Sequence, residues 1–309
     1  LLILYKSIFH LHMKIYDCFM FFDEEMLLDL RLNIMNKYVD KFVITEATYM
    51  HSGKSKKLVF DINKFQKFKD KIIYIVVDKQ PPDLIEITKN DNSNEILSKK
   101  TINAKKREMY QINKTQDGIV TADQNDMIIV SDVDEIPNLE KINLKNINEK
   151  LIFFKQKMFY YKFNLFYKSL SWYGSKACKK KYFKTPEWLR SLKNKKYPLW
   201  RFDILFSEIK YNNIFFINDG GWHFTNIRKP EDLEKKLSNF LHHVDFEQSG
   251  LNINDLKKLM NEKKIMYDHK KDKTSNKWGP GEKLENIRID EMPKYIKDNI
   301  EKYKLWIEF

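Results

Sequence analysis

Residues 126–137 read DMIIVSDVDEIP, and this stretch is the clearest indication of the fold class of the chain. Four consecutive apolar residues, 127–130, are followed almost at once by Asp132, Asp134 and Glu135. A short, mostly β-branched apolar run is typical of a strand that is buried on both faces of a parallel sheet. Open α/β sheets bind ligands at the carboxyl ends of such strands. We therefore expect the two aspartates to lie at a ligand site.

The spacing of Asp132 and Asp134 indicates what that ligand is. In an extended chain, residues two apart point to the same side. Two neighbouring carboxylates repel each other, and one takes up a proton unless a cation holds the pair. The motif therefore predicts a divalent cation that prefers oxygen ligands, Mg²⁺ or Mn²⁺. The alternative is an acidic surface turn closed by Pro137.

Strand and helix patterns alternate through the N-terminal half of the chain. The predicted strands are residues 14–21, 41–46, 71–78 and 126–131, and the predicted helices are 24–38 and 104–116. We expect Asp23 to cap the first helix, Gly118 to end the second, and residues 89–100 to form an irregular loop. This alternation predicts an α/β fold with a mostly parallel central sheet flanked by helices.

The second half has a different character. Residues 151–183 are rich in aromatic and basic side chains, which favours antiparallel strands; the rings are either core packing or a surface that stacks on sugars. A strand at 214–217 and a helix at 230–243 follow. From residue 251 the chain is lysine-rich and mostly helical, and its last helix has a predicted docking face of Tyr295, Ile296, Ile300, Tyr303 and Trp306.

These patterns predict one main domain at 13–250, with a helical C-terminal extension at 251–309 packed on it. Residues 1–12 are expected to be an upstream segment outside the fold. The chain has 309 residues, of which 42% are hydrophobic, and no run approaches the ~20 apolar residues of a transmembrane segment. Cys18 and Cys178 are too few for a disulfide framework.

The net charge of +13 suggests an anionic partner. Only six of the 56 basic residues are arginine, and the lysines run along the whole chain. Phosphate and base recognition favours arginine because of its fork-shaped guanidinium. We therefore expect no nucleic acid partner, and only a general attraction for anionic ligands.

Several common cofactor motifs are absent from the sequence. It contains no Gly-x-Gly-x-x-Gly, no Walker loop and no Gly-x-Ser-x-Gly, which removes the main support for a Rossmann cofactor, a P-loop or a hydrolase elbow. What remains is the Asp132–Asp134 motif and Gly220-Gly221-Trp222-His223. His223 is either a further metal ligand or a structural histidine beside a core tryptophan. Paired glycines would let the backbone approach a ligand closely.

Seven segments in this order resemble glycosyltransferase family 17. They are KIYDCFMFFDEEMLLDLRLN (14–33), VDKFVITEATYMHSGKSKKLVF (39–60), FKDKIIYIVVD (68–78), REMYQIN (107–113), DMIIVSDVDEIP (126–137), GGWHF (220–224) and MPKYIKDNIEKYKLW (292–306). The resemblance covers residues 13–309 and is tightest over 14–137. It implies a GT-A-type nucleotide-sugar-binding fold and metal-dependent, inverting transfer from a UDP-sugar, UDP-N-acetylglucosamine in the animal enzymes.

The resemblance also assigns roles to residues of this chain. Asp132 and Asp134 match the metal and diphosphate motif, and His223 matches a late histidine that many GT-A enzymes use on the metal. Arg107 matches the family's Arg-Glu pair and suits a diphosphate or the orientation of Asp132. The residues expected to bind the nucleotide-sugar are Glu46, His51, Lys54, Arg107, Asp132 and Trp222.

An acceptor hydroxyl must lose a proton to a base on the face of the sugar opposite the metal. Asp203, Glu208, Asp219 and Asp245 are candidates, and we favour Asp245, then Asp219. The function that the resemblance implies is transfer of a sugar, expected to be N-acetylglucosamine, to a glycan hydroxyl. The alternatives are a nucleotidyltransferase that uses the same aspartates and a non-catalytic glycan- or nucleic-acid-binding protein. The composition, and a sequence without the family's membrane anchor, suggest a cytoplasmic protein of microbial or viral source.

Overall fold

The computed structural model describes residues 13–198, 200–271 and 276–309. In this part of the chain there are two sheets. The larger has seven strands in the order β10-β6-β9-β4-β1-β2-β3, and the smaller has five in the order β12-β8-β7-β11-β5. The strands are β1 (Ile15–Phe21), β2 (Lys41–Ala47), β3 (Ile72–Val77), β4 (Met127–Asp132), β5 (Glu135–Pro137), β6 (Leu151–Phe154), β7 (Gln156–Tyr160), β8 (Leu165–Trp172), β9 (Lys176–Lys179), β10 (Ile214–Ile217), β11 (Gly221–Thr225) and β12 (Glu285–Asn286).

The described helices are short, with one exception. They are α1 (Glu25–Met35), α2 (Ser93–Asn113), α3 (Pro186–Ser191), α4 (Pro230–Leu237), α5 (His243–Ser249), α6 (Ile253–Asn261), α7 (Lys294–Lys297) and α8 (Ile300–Tyr303). None of them is long and apolar enough to cross a membrane. Single-turn 3₁₀ segments and the longer one at Ile62–Lys71 join several of these elements.

The large sheet is mostly parallel, as the sequence predicts. β1 pairs in parallel with β2 and β4, and β2 with β3; β6 and β10 also pair in parallel. The exception is β9, which is antiparallel to both β4 and β6. The two faces of the large sheet bury separate apolar clusters. One lies under α1 and the C-terminal helices, and the other lies under α3. The mixed α/β class with a helix-flanked parallel sheet is therefore confirmed.

The helix boundaries correct several predictions. The residue that caps α1 is Glu24 rather than Asp23, and no side chain bonds the helix's own amides. The prediction of an irregular loop at 89–100 is wrong, because α2 begins at Ser93 with a capping box from Asn92 and Glu95. Gly118 does not end that helix, which stops at Asn113 and continues as a 3₁₀ turn.

Further corrections fall in the second half. The predicted helix at 230–243 is two helices, α4 and α5, separated at residues 238–242. The antiparallel strands expected at 151–183 are present as β7 to β9, although β6 and β7 also pair in parallel with β10 and β11. Residues 251–309 are less helical than predicted. Their docking face is confirmed, since Ile296 and Tyr303 are buried in the main core.

Candidate functional site

A cavity of about 390 Å³ lies at the carboxyl ends of β1 and β4. The strand order reverses here, because β1 continues to β2 on one side while β4 lies on the other. Such a switch point opens a crevice at the edge of an α/β sheet. The small sheet, residues 236–242 and 266–269, and Trp278 enclose the opposite side. The aspartate motif thus lies in a cavity and not on an exposed turn.

A buried ion pair holds the backbone of the motif. Arg31 of α1 donates two hydrogen bonds to Asp17 of β1, at 2.6 and 2.8 Å, and both side chains are fully buried. The same guanidinium donates to the carbonyl oxygens of Asp132, at 2.9 Å, and Glu135, at 2.8 Å, and to the Ser131 hydroxyl, at 2.6 Å. The turn between β4 and β5 is therefore fixed from beneath by charge-assisted hydrogen bonds.

Asp132 faces a second arginine. Arg190 of α3 donates to Asp132 Oδ2 at 2.9 Å and lies 3.5 Å from Glu108 Oε1. Burial, together with Glu135 and the other nearby carboxylates, raises the pKa of Asp132 to about 7, although Arg190 opposes this. Despite its own burial, Arg190 has a raised pKa because Asp132 and Glu108 flank it, so it remains charged. Of the two roles expected of Arg107, the orientation of Asp132 belongs to Arg190, and the contact with a diphosphate stays a prediction.

Asp134 faces the histidine of the second motif. Its Oδ1 lies 3.6 Å from His223 Nε2, and its Oδ2 lies 3.9 Å from Lys236 Nζ. Burial acts against ionisation of Asp134, but His223 and Lys236 outweigh it and lower its pKa. Burial likewise acts to lower the pKa of His223, and Asp134 outweighs it, so that pKa is raised. β11 and the β4–β5 turn thus bring two residues 89 positions apart into contact distance.

This arrangement bears on the predicted metal. Asp134 Oδ1 and His223 Nε2 are close enough for one cation to contact both, since bonds to such a cation are about 2.1 Å long. Asp132 turns toward Arg190 instead, and no group of three or more candidate metal ligands occurs in the described residues. Asp132 Oδ1 and His223 Nδ1 are buried without a partner among the described residues. The protein side chains therefore fit a partial shell, which ligand oxygens would have to complete.

Trp172 of β8 holds the carboxylate of Glu135, the residue that links the small sheet to the end of β4. Its Nε1 donates to Glu135 Oε1 at 2.6 Å, while Glu135 Oε2 accepts from the Asp132 amide at 2.8 Å. The indole also packs against the His223 ring with centroids 4.8 Å apart. The Glu135 carboxylate fits only because residue 174 is glycine, where a Cβ would lie 1.8 Å from Oε1.

The other residues predicted to bind the nucleotide-sugar lie in different places around the cavity. His51 lines the cavity, and burial lowers its pKa. Glu46 lies behind it, where it accepts hydrogen bonds from Lys56, Tyr74 and the backbone of residues 59 and 60. Lys54 is exposed and does not line the cavity. Arg107 supports the loop from behind, by donating to the His51 carbonyl at 3.2 Å and to the side chain of Gln80.

The glycine pair acts on a neighbouring strand and not on a ligand. Gly221 has a φ of +127°, and a Cβ there would lie 2.1 Å from the Ile136 carbonyl oxygen of β5. Trp222 alternates away from His223 and packs on the main core, outside the cavity lining. The tryptophan whose ring contacts His223 is therefore Trp172. The sequence had suggested Trp222 for this contact.

The two favoured bases lie outside the cavity lining. Asp219 is largely exposed, and its nearest cation is Lys157 at 4.0 Å. Asp245 lies behind His242, with its Oδ2 at 3.1 Å from His242 Nδ1. It is His242 that lines the cavity, along with Tyr267, His269 and Trp278. Asp203 and Glu208 belong to a different surface, where Asp203 pairs with Arg201 and Lys210.

Sequence reasoning missed Arg31, Arg190, Lys236, Trp172 and His242. The pairing of Asp17 with Arg31 could have been predicted. Asp17 lies within an apolar strand and Arg31 beside the apolar face of α1, and opposite charges on buried faces must pair. Arg190, Lys236 and His242 carry no comparable pattern.

The chain was then compared with known proteins. A search among curated proteins found no match. The sequence model of a family, described as glycosyltransferase family 17, matches residues 6–307. That match includes residues 6–12, although residues 1–12 were expected to be an upstream segment that does not belong to the fold. Those twelve residues are not among the described ones. With nearly the whole chain covered and a strand-end aspartate site in place, the chain belongs to glycosyltransferase family 17, and it is a glycosyltransferase.

Proposed function

We propose that this glycosyltransferase is a GT-A-type enzyme that uses a UDP-sugar and a divalent cation. It moves the sugar, N-acetylglucosamine in our proposal, to a glycan hydroxyl with inversion. The observation that carries the proposal is the approach of Asp134 and His223 at the switch point of the parallel sheet. The cavity volume of about 390 Å³ lies within the ~300–1,000 Å³ range of small-ligand sites.

The charges in the cavity suit a diphosphate. Lys236 and Arg190 provide two cationic groups beside the aspartates, and Arg190 Nη1 is buried with no partner in the described part of the chain. Preorganised cations of this kind stabilise the charge that develops on a departing diphosphate. Mn²⁺ or Mg²⁺, when held by Asp134 and His223, would supply Lewis-acid stabilisation of the same charge.

We place the sugar between the aspartates and the aromatic side of the cavity. Tyr267 and Trp278 face the site there, with ring centroids 5.0 Å apart. Trp278 Nε1 is buried and has no hydrogen-bond acceptor among the described residues. A sugar hydroxyl would satisfy this donor, whereas an apolar ligand would leave it unsatisfied.

We assign the general base to His242, with Asp245 as a positioning residue. The Asp245 carboxylate accepts from Nδ1, which leaves Nε2 free to take the proton of the acceptor hydroxyl. The hydroxyl oxygen bonds to the anomeric carbon as the carbon–oxygen bond to the diphosphate breaks, and UDP leaves with the electron pair. This role for Asp245 replaces the direct base role expected from the sequence.

Calorimetry tests the donor site first. UDP and UDP-N-acetylglucosamine would be titrated into wild type and Asp134→Ala, with Mn²⁺ and with a chelator. We expect metal-dependent binding to wild type and its loss in Asp134→Ala. Asp219→Ala is the matched control, because that aspartate is exposed outside the cavity. Equal binding by both variants, or no binding by wild type, would contradict the proposal.

Turnover tests the base. We expect His242→Gln to lower kcat about 10²–10⁴-fold, the usual contribution of a general base, with UDP affinity unchanged. Asp245→Asn should lower kcat less and leave the KM for the donor unchanged, because it disturbs only the orientation of the His242 ring. Release of UDP, and not of pyrophosphate, separates glycosyl transfer from nucleotidyl transfer. Near wild-type turnover of His242→Gln would exclude this assignment.

A further inference from the structure

Residues 200–206 form an apolar segment that does not line the cavity. Trp200, Phe202, Leu205 and Phe206 are 75–89% exposed, and we call these four side chains the apolar tip. The only other described hydrophobic side chains with more than half of their surface exposed are Val120, Leu305 and Phe309. Four large apolar side chains within seven residues indicate an interaction surface, since isolated exposed hydrophobic residues are common but clusters are not.

The projection has a defined base. The Lys193 amide donates to the Ile209 carbonyl at 2.9 Å, and the Tyr197 amide to the Tyr211 carbonyl at 3.1 Å, so the two ends of the loop lie side by side. Trp188 Nε1 of α3 donates to the Glu208 carbonyl at 2.9 Å. A 3₁₀ turn at Phe202–Ile204 orders the outer part. The structure thus presents the apolar tip on an anchored loop.

The surroundings of the apolar tip are basic. Residues 193–210 contain five basic and two acidic residues, a local net charge of +3. Asp203 is paired with both Arg201 and Lys210, at 2.8 and 2.7 Å, so its charge is neutralised within the loop. Lys193, Lys195 and Lys196 are exposed at the base. We call these three the basic rim.

We propose that this loop docks the enzyme on an anionic membrane surface. Aromatic and leucine side chains enter the interface between headgroups and acyl chains, while lysines attract anionic lipids. A second copy of the chain fits this surface less well, because two basic rims would face each other and repel. The loop begins just after α3, whose Arg190 contacts Asp132, so docking would hold the site near the bilayer.

Together with the proposed function, membrane docking also indicates where the acceptor is. An enzyme held at a bilayer would act on glycans displayed there, attached to lipid or to membrane protein. Membrane binding itself requires no sugar transfer. A vesicle assay can therefore fail or succeed independently of UDP binding, which is measured separately on the same variants.

The test is co-sedimentation of the full chain with vesicles. Phosphatidylcholine vesicles that contain phosphatidylglycerol would be compared with vesicles of phosphatidylcholine alone. We expect binding to the anionic vesicles that weakens with salt. Lys193→Gln, Lys195→Gln and Lys196→Gln together should weaken it about a hundredfold, since each basic residue near such a surface strengthens binding about fivefold.

The apolar tip has a matched control in the same chain. Phe202→Ser with Phe206→Ser should weaken vesicle binding by at least tenfold, because two large apolar side chains no longer leave water. Leu305→Ser with Phe309→Ser removes two equally exposed hydrophobic residues elsewhere and should leave binding unchanged. Absence of wild-type binding, or equal loss in both double variants, would overturn the proposal. A wild-type dimer that Phe202→Ser with Phe206→Ser dissociates would also overturn it.

Discussion

The two sides of the cavity are built in different ways. The sheet side, with Asp132 and Glu108, rests on parallel strands and on the Asp17–Arg31 pair, which is fully buried. The opposite side, with His242, His269 and Trp278, rests largely on ring contacts such as Tyr267–His269 at 4.9 Å and Tyr267–Trp278 at 5.0 Å.

This difference separates a rigid side from an adaptable one. A sheet ladder and charge-assisted hydrogen bonds fix backbone positions, whereas an aromatic pair contributes about 0.5–1.5 kcal/mol beyond its burial. A diphosphate needs cations at fixed places, and acceptor glycans vary more in shape. We expect changes on the sheet side to have the larger effects.

The largest effect should come from Arg31→Met. It leaves Asp17 buried without its partner and frees the turn that carries Asp132. Breaking a buried pair from one side costs about 3–5 kcal/mol of unfolding free energy. Urea denaturation measures the loss. Adding Asp17→Asn should recover part of it, and a single variant as stable as wild type would show that the pair does not fix this side.

Arg190→Gln comes next and distinguishes Arg190 from Arg107, the arginine that the family resemblance implied. It removes the cation between Asp132 and Glu108, and we expect about a hundredfold loss of UDP-sugar affinity, equivalent to about 3 kcal/mol. Arg107→Gln is the control, with a loss below about tenfold, since Arg107 only supports the His51 loop. Calorimetry measures both. A larger loss in Arg107→Gln would reverse the assignment.

The adaptable side should be sensitive to acid through His269. Burial lowers the pKa of His269 to about 3, and its neutral ring contacts the Tyr160 hydroxyl at 2.6 Å. The unfolded chain takes up this proton near pH 6.5, so stability falls as the pH drops from about 6.5 toward 3, by about 1.4 kcal/mol per unit.

Denaturation at two pH values measures this effect. Between pH 6.5 and 4.5, wild type should lose about 2–3 kcal/mol more unfolding free energy than His269→Gln, which cannot be protonated. Parallel losses in the two proteins would show that another group governs acid stability.

The smallest effect should come from Trp172→Phe, at the join between the two sides. It keeps a ring beside His223 but removes the hydrogen bond to Glu135. A bond to a charged group contributes about 1.5–3 kcal/mol, and we expect the lower end because a ring remains. Thermal and urea denaturation measure the loss. A variant as stable as wild type would mean that the sides are joined mainly by stacking.

The sequence by itself determined the mixed α/β class, the strands of the parallel sheet and the place of Asp132 and Asp134. These features follow from short apolar runs and from charges next to them, which are local properties of the chain. The Gly220-Gly221-Trp222-His223 motif and the family resemblance both indicated His223, and the structure brings its Nε2 to 3.6 Å from Asp134 Oδ1. Helix boundaries such as the start of α2 were missed, because Ser93 to Lys100 is polar and its capping box was overlooked.

The tertiary structure alone decided which charged groups meet. The family resemblance pointed to Arg107 as a partner of Asp132, whereas the position of α3 beside β4 brings Arg190 to it. In the same way, Asp245 proved to contact His242 and Glu46 to hold a loop. The Arg190–Asp132 contact joins residues far apart in the chain, and the packing of α3 beside β4 that sets it leaves no local pattern. His242 and Asp245 are only three positions apart, but which of the two lines the cavity again depends on packing. The parts predicted from sequence are therefore those that local hydrophobic periodicity specifies, and the charged network is what packing specifies.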